Sequence, residues 1–151
     1  MKIMIAVDAS RHSDVAVTFL TRMRWPPGSR MTVVSVLPPA PLAPPDALGP
    51  GIGAPAIDPA LHAEELSRTL GTIARAEDIL RSAGFSAGGC LLEGDPREAL
   101  LAAAQREHAD LLVVGSHGRT GLARLLLGSV SSHLVTHATC SVLVVKVPNA
   151  P

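Results

Sequence analysis

Residues 110–134, DLLVVGSHGRTGLARLLLGSVSSHL, join a short apolar run to a loop that holds four glycines and ends in a serine-rich turn. The run DLLVVG, 110–115, has the length and composition of a strand buried on both faces. Glycine has no Cβ, so the loop can adopt positive φ and bring backbone N–H groups close to a ligand. Gly128 and Ser129 open a predicted helix over 129–137, whose first amides favour an anion. The stretch therefore predicts a loop that holds phosphate between a strand and a helix.

The rest of the chain repeats this alternation of strand and helix. Apolar runs predict strands at 2–7, 31–37, 85–93 and 141–147. Helical spacing and capping residues predict helices at 10–24, 58–84 and 95–107. On the long helix we expect an apolar stripe of Leu66, Leu70, Ile73, Ala76 and Leu80. The alternation predicts one α/β domain over 1–151, an open five-stranded parallel sheet with helices on both faces and right-handed crossovers.

One segment does not fit a strand or a helix. Residues 38–58, PPAPLAPPDALGPGIGAPAID, are dominated by proline, glycine and alanine. Prolines remove backbone donors and break helices, so the segment predicts a long connection without regular structure. A loop of this length is either a lid over a site or a mobile insertion. We interpret it as a mobile insertion.

Composition narrows the class of protein. The 151 residues carry a formal net charge of +0, and Lys2 and Lys146 are the only lysines, which argues against a nucleic-acid partner. The chain contains no apolar run long enough to cross a membrane, so we expect no membrane partner. Cys90 and Cys140 lie far apart in apolar surroundings, which favours buried free thiols in a reducing compartment. We therefore expect a cytoplasmic protein.

Two predicted strand ends carry polar or glycine-rich sequence. Asp8, Ser10 and Ser13 follow the first strand, and Gly115 and Gly118 follow the fourth. In open α/β sheets, ligands bind at the carboxyl ends of the strands, where the strand order reverses. If the first and fourth strands are neighbours, both groups of residues face one crevice.

The spacing of the loop resembles a known family. Gly115, Gly118, nine residues, then Gly128 and Ser129 matches the G-x2-G-x9-G-S/T nucleotide motif of the ATP-binding branch of the universal stress protein family. The resemblance extends to IAVDASRHS near the start, VVSVL in the second strand and VLVVK in the last. It implies a Rossmann-like fold of the adenine nucleotide alpha hydrolase-like type, and an ATP-binding protein that acts as a regulatory module in the stress response.

The resemblance also implies which residues bind the nucleotide. Asp8 corresponds to the ribose contact, with Ala6 and Val7 on the adenine side and Val36 at the position whose backbone reads the adenine edge. The ribose and phosphate loop corresponds to Val114, Gly115, Gly118 and Arg119. The turn that holds the triphosphate corresponds to Gly128, Ser129, Val130 and Ser131.

Family members often bind Mg²⁺ or Mn²⁺ on the phosphates and pair as homodimers through their last strands. The resemblance therefore implies ATP with Mg²⁺ or Mn²⁺, and a homodimer formed through the strand at 141–147. Pairing would also cover an apolar sheet edge that is otherwise exposed. Ser141 departs from the proline that usually precedes this strand, and the role of 38–58 cannot be transferred from the family.

Several alternatives remain beside this interpretation. The chain has no GxxxxGK[ST] motif and lacks the glycines of a dinucleotide-binding turn, which excludes a P-loop and disfavours a Rossmann oxidoreductase. The loop offers no evident base, so we expect no catalytic residues; a slow ATPase or a phosphoryl or nucleotidyl transferase is the alternative. A nucleotide-free dimeric scaffold is a third possibility. His133 and His137 have a zinc-compatible spacing, but with no further ligand placed nearby by the sequence we expect no protein metal site.

Overall fold

A computed structural model describes residues 1–39, 59–118 and 127–147. Strands and helices alternate along these residues, as the sequence predicts. The elements are β1 Lys2–Ala6, α1 Arg11–Thr21, β2 Arg30–Leu37, α2 Pro59–Ser82, β3 Ser86–Glu93, α3 Pro96–Arg106, β4 Leu111–Gly115, α4 Ser129–His137 and β5 Ser141–Val145. The predicted insertion at 38–58 lies outside the described residues from residue 40 onward.

The five strands form one parallel sheet in the order β3-β2-β1-β4-β5. This confirms the predicted α/β class, and it makes β1 and β4 neighbours. The register pairs Ala6 with Val114, so the ends of these two strands lie side by side. After β1 the chain first builds the sheet toward β3 and then returns to the other side of β1. The strand order therefore reverses beside β1, which is where such sheets bind ligands.

Helices cover both faces of the sheet. On one face, α1 and α2 bury Leu20 and Leu80 against strand residues such as Ile5 and Val33. On the other, α3 and α4 bury Leu100 and Leu134 against residues that include Met4 and Leu112. Successive strand residues alternate between the two cores, as the two-residue period of a strand requires. The central strands β1 and β4 carry apolar side chains on both faces because helices cover both faces of the sheet.

Two local predictions differ from the structure. Helix α1 ends at Thr21 and not near residue 24. The backbone N–H of Arg22 donates to Phe19 O, three residues back, which closes the last turn of the helix. Trp25 Nε1 donates to Leu20 O at 3.1 Å. The predicted stripe on α2 is wrong at Leu70, which is 47% exposed. Thr69 and Thr72 are buried in its place, so the inward face of α2 is polar toward its N-terminal half.

The two cysteines are free and half-buried, packed beside the α3 and α4 core. Among the described residues, no helix combines the length and apolar character needed to cross a bilayer.

Candidate functional site

A cavity of about 490 Å³ opens at the carboxyl ends of β1, β2 and β4. It collects residues from both sides of the point where the strand order reverses. Eleven of the twelve residues that we predicted to bind the nucleotide line it: Ala6, Val7, Asp8, Val36, Val114, Gly115, Gly118, Gly128, Ser129, Val130 and Ser131. The twelfth, Arg119, lies outside the described residues. The structure therefore brings the two predicted groups of residues together in one cavity.

Asp8 is held rigidly at the end of β1 by the first turn of α1. Its Oδ1 accepts from the Ser13 hydroxyl at 2.6 Å, from the Ser10 backbone N–H at 3.2 Å and from the Ser10 hydroxyl. The Asp8 backbone N–H donates back to Ser13 Oγ at 2.9 Å. Ser10 is also the N-cap of α1. The sequence DASRHS thus caps a helix and fixes the orientation of a carboxylate in the cavity wall.

Gly118 packs closely against that carboxylate. A Cβ built on Gly118 would lie 2.9 Å from Asp8 Oδ2. This is shorter than normal van der Waals contact, so any side chain at 118 must displace Asp8 or the loop. The glycine therefore allows two parts of the cavity wall, from β1 and from the loop after β4, to meet.

Gly115 is required for packing. A Cβ at this position would lie 2.9 Å from the carbonyl carbon of His12 and 3.0 Å from its oxygen, both in the first turn of α1. Gly115, Gly118 and Gly128 do not adopt positive φ; among the described glycines the positive values occur at Gly28, Gly84 and Gly94. Positive φ, one of the two expected reasons for these glycines, is thus wrong for Gly115, Gly118 and Gly128, and close approach of other parts of the protein explains Gly115 and Gly118.

The first turn of α4 forms another wall of the cavity. Gly128 is its N-cap and, having no side chain, provides no side-chain cap to the amides that follow. The first intrahelical hydrogen bond runs from Ser132 N–H to Gly128 O at 2.9 Å. The preceding amides, those of Ser129, Val130 and Ser131, belong to residues that line the cavity. A helix start of this kind presents N–H groups and a positive dipole end to an anion.

Two hydrogen bonds attach this turn to the end of β4. Gly128 N–H donates to Ser116 O at 2.7 Å, and the buried Ser131 hydroxyl donates to the same oxygen at 3.0 Å. The Ser131 hydroxyl also lies 3.0 Å from Gly128 O. Its proton is therefore engaged within the protein. At Ser131 the backbone N–H, and not the hydroxyl, is therefore the donor available to a phosphate.

Sequence reasoning missed the residues that α2 and α3 contribute. Glu65, Arg68, Thr69 and Thr72 of α2 line the cavity, and so do Ser35 of β2 and Pro96 and Leu100 at the start of α3. The α2 residues follow the spacing i, i+3, i+4, i+7, which places them on one helical face. This polar stripe, beside an apolar one, is the signal that would have identified them.

Four of the six histidines form two pairs. His117 lines the cavity; its ring centroid lies 5.2 Å from that of His12, and its Nδ1 lies 3.2 Å from Ser116 Oγ. On α4, the ring centroids of His133 and His137 are 4.4 Å apart, and His133 Nε2 is 3.2 Å from Glu98 Oε1. Within the described ranges, no three or more His, Cys, Asp or Glu side chains are arranged to hold a metal ion.

Comparison with known proteins agrees with this geometry. The sequence profile of the universal stress protein family matches residues 1–146. The chain belongs to the universal stress protein family. A universal stress protein of Thermus aquaticus is 35% identical over 149 residues, which cover 95% of this chain and 97% of the relative. One from Methanocaldococcus jannaschii is 48% identical over 58 residues, 38% of this chain and 34% of the relative's length.

Solved structures establish the fold of this universal stress protein. A second Methanocaldococcus jannaschii protein superposes with a TM-score of 0.81 at 22% identity, covering 99% of this chain and 97% of the other. An Archaeoglobus fulgidus universal stress protein, solved with dAMP, gives a TM-score of 0.66 at 23% identity, with coverages of 97% and 98%. A family member from Arabidopsis thaliana, solved with AMP bound, gives 0.67 at 19% identity, with coverages of 99% and 93%.

Proposed function

We propose that this universal stress protein binds ATP, with Mg²⁺ or Mn²⁺ on the phosphates, and acts as a nucleotide-dependent regulatory module. The observation that carries the proposal is the cavity itself. It combines a helix start for phosphate, a fixed carboxylate for ribose, and apolar strand ends for a base. Neighbouring family structures contain dAMP and AMP, which supports an adenine nucleotide as the ligand class.

Along the cavity, the lining residues are arranged in the same order as the phosphates, ribose and base of a nucleotide. The α4 turn and Gly118 lie beyond β4, Asp8 lies at the end of β1, and Val36 lies on β2. Because β1 lies between β4 and β2, a ligand with its phosphates at α4 would place its ribose near Asp8 and its base near Val36. Val34, Val36 and Leu100 supply an apolar surface there, suited to the faces of a purine.

The residues of the cavity are compatible with a metal ion that is bound mainly by the phosphates of the nucleotide. Mg²⁺ usually binds through substrate phosphates, waters and one or two carboxylates. Asp8 and Glu65 are the carboxylates among the described residues of the cavity. Asp8 Oδ1 already accepts hydrogen bonds from Ser10 and Ser13. When bound, the ion would neutralise phosphate charge, and the protein would hold the complex through backbone amides.

The proposal is tested by unfolding purified protein and separating the released small molecules by chromatography. We expect an adenine nucleotide in the extract. In parallel, calorimetry on protein refolded without nucleotide should show binding of ATP·Mg²⁺. A nucleotide-free extract together with no heat of binding would overturn the proposed function.

A second candidate function is slow ATP hydrolysis, and one observation favours it. The structure places His117 in the cavity wall, where an imidazole could accept a proton from water. Sequence reasoning missed this loop histidine as a base. Turnover of labelled ATP above the background without protein would support slow hydrolysis, and turnover above about 1 s⁻¹ would lie within the usual range of enzymes. The same assay on His117→Gln separates the two functions. An ATPase that uses His117 loses turnover in this variant, whereas a binding module retains its ATP affinity and shows no turnover in either form.

We further propose a homodimer formed through β5. This strand is one edge of the described sheet, and Val142, Leu143 and Val144 are only half-buried in a single chain. Pairing with a second β5 would cover this apolar edge and satisfy its outward backbone groups. A dimer would also allow bound ATP to influence other proteins, because a change at one nucleotide site could alter the surface that the dimer presents to a partner protein.

A further inference from the structure

Three buried hydroxyl groups line the cavity on the side of β2 and α2. They belong to Ser35, Thr69 and Thr72, which are 4%, 8% and 6% exposed. Ser35 lies two residues after Val33 on β2, and therefore faces the same side of the sheet as α1 and α2. Thr69 and Thr72 lie on the inward face of α2. We call these three residues the hydroxyl wall.

The proton of each hydroxyl is committed to a backbone carbonyl. Ser35 Oγ donates to Val7 O at 2.8 Å, Thr69 Oγ1 to Glu65 O at 2.8 Å, and Thr72 Oγ1 to Arg68 O at 3.0 Å. A carbonyl oxygen cannot donate, so the direction of each bond is fixed. A hydroxyl has one proton and two lone pairs. The hydroxyl wall can therefore accept hydrogen bonds from a ligand, but it cannot donate without first breaking an internal bond.

The position of the hydroxyl wall matches the base end of the proposed ligand. The phosphate-binding turn of α4 follows β4, whereas the hydroxyl wall lies at β2, two strand spacings away, about 10 Å. Asp8 lies between them at the end of β1. Since ribose separates base from phosphate in a nucleotide, the hydroxyl wall lies beside the base when the phosphates occupy α4.

We propose that Thr69 and Thr72 determine base specificity by accepting hydrogen bonds from the 6-amino group of adenine. The inference rests on the proposed nucleotide function and adds a reason for selecting adenine. A 6-aminopurine presents two donors to an acceptor surface, whereas a 6-oxopurine presents an acceptor oxygen. Two hydrogen-bond acceptors that face each other both lack a donor, and a buried polar group without a partner costs free energy of binding. The hydroxyl wall thus favours ATP and disfavours nucleotides with a 6-oxo group.

The test uses calorimetry with four probes, each with Mg²⁺: ATP, ITP, purine riboside triphosphate and dATP. ITP replaces the 6-amino group with an oxygen, purine riboside triphosphate has only hydrogen there, and dATP lacks the ribose 2′-hydroxyl. The unaltered chain is compared with Thr69→Val/Thr72→Val, which keeps the β-branched shape and removes both hydroxyls. We expect the preference for ATP over ITP to fall about threefold to tenfold, since each hydrogen bond contributes modestly.

Thr18→Val is the matched control. Thr18 also donates to the carbonyl four residues earlier, Asp14 O, at 2.9 Å, but it lies on the exposed face of α1. Its ATP to ITP ratio should equal that of the unaltered chain. Thr72→Ser keeps the hydroxyl in a smaller side chain and should keep the preference for ATP. If the double variant does not fold, Thr69→Val and Thr72→Val tested singly carry the comparison.

The outcomes separate the inference from the function on which it rests. If the unaltered chain binds none of the four nucleotides, the proposed function fails. If it binds ATP and the double variant keeps the same ATP to ITP ratio, the function stands and the base-reading role of α2 is wrong. If the double variant loses discrimination between ATP and dATP but keeps that between ATP and ITP, the hydroxyls bind the ribose. That result also overturns their assignment to the 6-amino group of adenine.

Discussion

At the scale of single residues, two glycines of one loop are present for different reasons. Gly115 lets the end of β4 pack against the backbone of His12, which is a requirement of the fold. Gly118 lets the loop approach Asp8, which is a requirement of the cavity. Both glycines belong to the same sequence motif, so the motif combines a packing constraint and a binding constraint. Substitutions at the two positions should therefore affect stability and ligand affinity to different degrees.

Gly118→Val is expected to weaken ATP binding at least about tenfold, because the side chain displaces Asp8 and the loss of a charge-assisted hydrogen bond costs about 1.5 to 3 kcal/mol. Calorimetry measures the affinity, and denaturant unfolding shows whether the fold persists. Gly71→Ala is the control, since its added Cβ has no heavy atom within 4 Å and lies on the exposed face of α2. Unchanged affinity in Gly118→Val would contradict the role assigned to this loop.

At the scale of elements, α2 joins the core to the cavity. Toward its C-terminus it buries Ile73, Ala76 and Leu80 in the core, whereas Thr69 and Thr72, near its middle, lie at the cavity. The same helix packs against β3, a continuous strand that contains Gly88 and Gly89. The structure gives Gly89 a purpose that the sequence did not show.

Gly89→Ala should destabilise the protein, because the added Cβ would lie 2.3 Å from Ile73 Cγ2 and 2.8 Å from Glu77 Oε2. Overpacking of this kind costs about 1 to 3 kcal/mol. Gly88→Ala is the neighbouring control, since its Cβ has no heavy atom within 4 Å. It should be neutral, or stabilising by up to about 1 kcal/mol, through a less flexible unfolded chain. Urea unfolding of both variants provides the comparison, and equal effects would count against close packing of α2 on β3.

The start of α3 makes a prediction about pH. The Asp95 N-cap accepts from Arg97 through the backbone N–H at 2.8 Å and through Nε and Nη2 at 3.1 and 2.8 Å. These bonds, above all those from the guanidinium, lower the pKa of Asp95 from 3.8 to about 2. A lowered pKa means that the folded state prefers the ionised carboxylate. This contribution to stability is present above pH 3.8 and is lost as the pH falls toward 2.

Asp95→Asn keeps a residue that caps helices well but removes the titrating charge. The variant should therefore lose less stability than the unaltered chain as the pH falls from about 4 to about 2. Unfolding curves at closely spaced pH values measure this difference, and NMR titration of the Asp95 carboxyl measures the pKa directly. A carboxyl that titrates at its ordinary value would refute the assigned hydrogen bonds.

At the scale of the whole molecule, the strand order assembles the candidate site. The residues that line the cavity begin at Ala6 and end at Ser131, and they meet because β4 returns to lie beside β1. The same order leaves β5 at an edge of the described sheet, where the proposed dimer forms. The positions of site and interface thus follow from one topology.

The proposed dimer predicts the hydrogen exchange of β5. In an unpaired edge strand the outward backbone amides exchange quickly, whereas pairing with a second copy protects them. We expect slow exchange along Val142–Val145 and a sedimentation mass of two chains. Dilution to the point of dissociation should restore fast exchange at the outward amides, which provides an internal control. A mass of one chain over the whole concentration range would rule out the β5 interface.

The sequence by itself determined the class of fold and about half of the residues that line the candidate cavity. Strands, helices and their caps follow from periods of two and 3.6 residues and from local hydrogen bonds, which are readable over short stretches. The helix over 129–137 and the glycine spacing before it needed no tertiary information. The binding residues that the family resemblance implies lie at strand ends and helix starts. These positions line the cavity.

Only the tertiary structure decided which elements meet. The adjacency of β1 and β4 depends on contacts between residues more than a hundred positions apart, and nothing in either strand encodes its neighbour. The inward face of α2 was misjudged at Leu70 because two stripes compete on that helix, and packing against β2 and β3 selects the one with Thr69 and Thr72. Close approach at Gly89, Gly115 and Gly118 likewise depends on a second element, because the reason for an absent side chain is the atom that would otherwise collide with it.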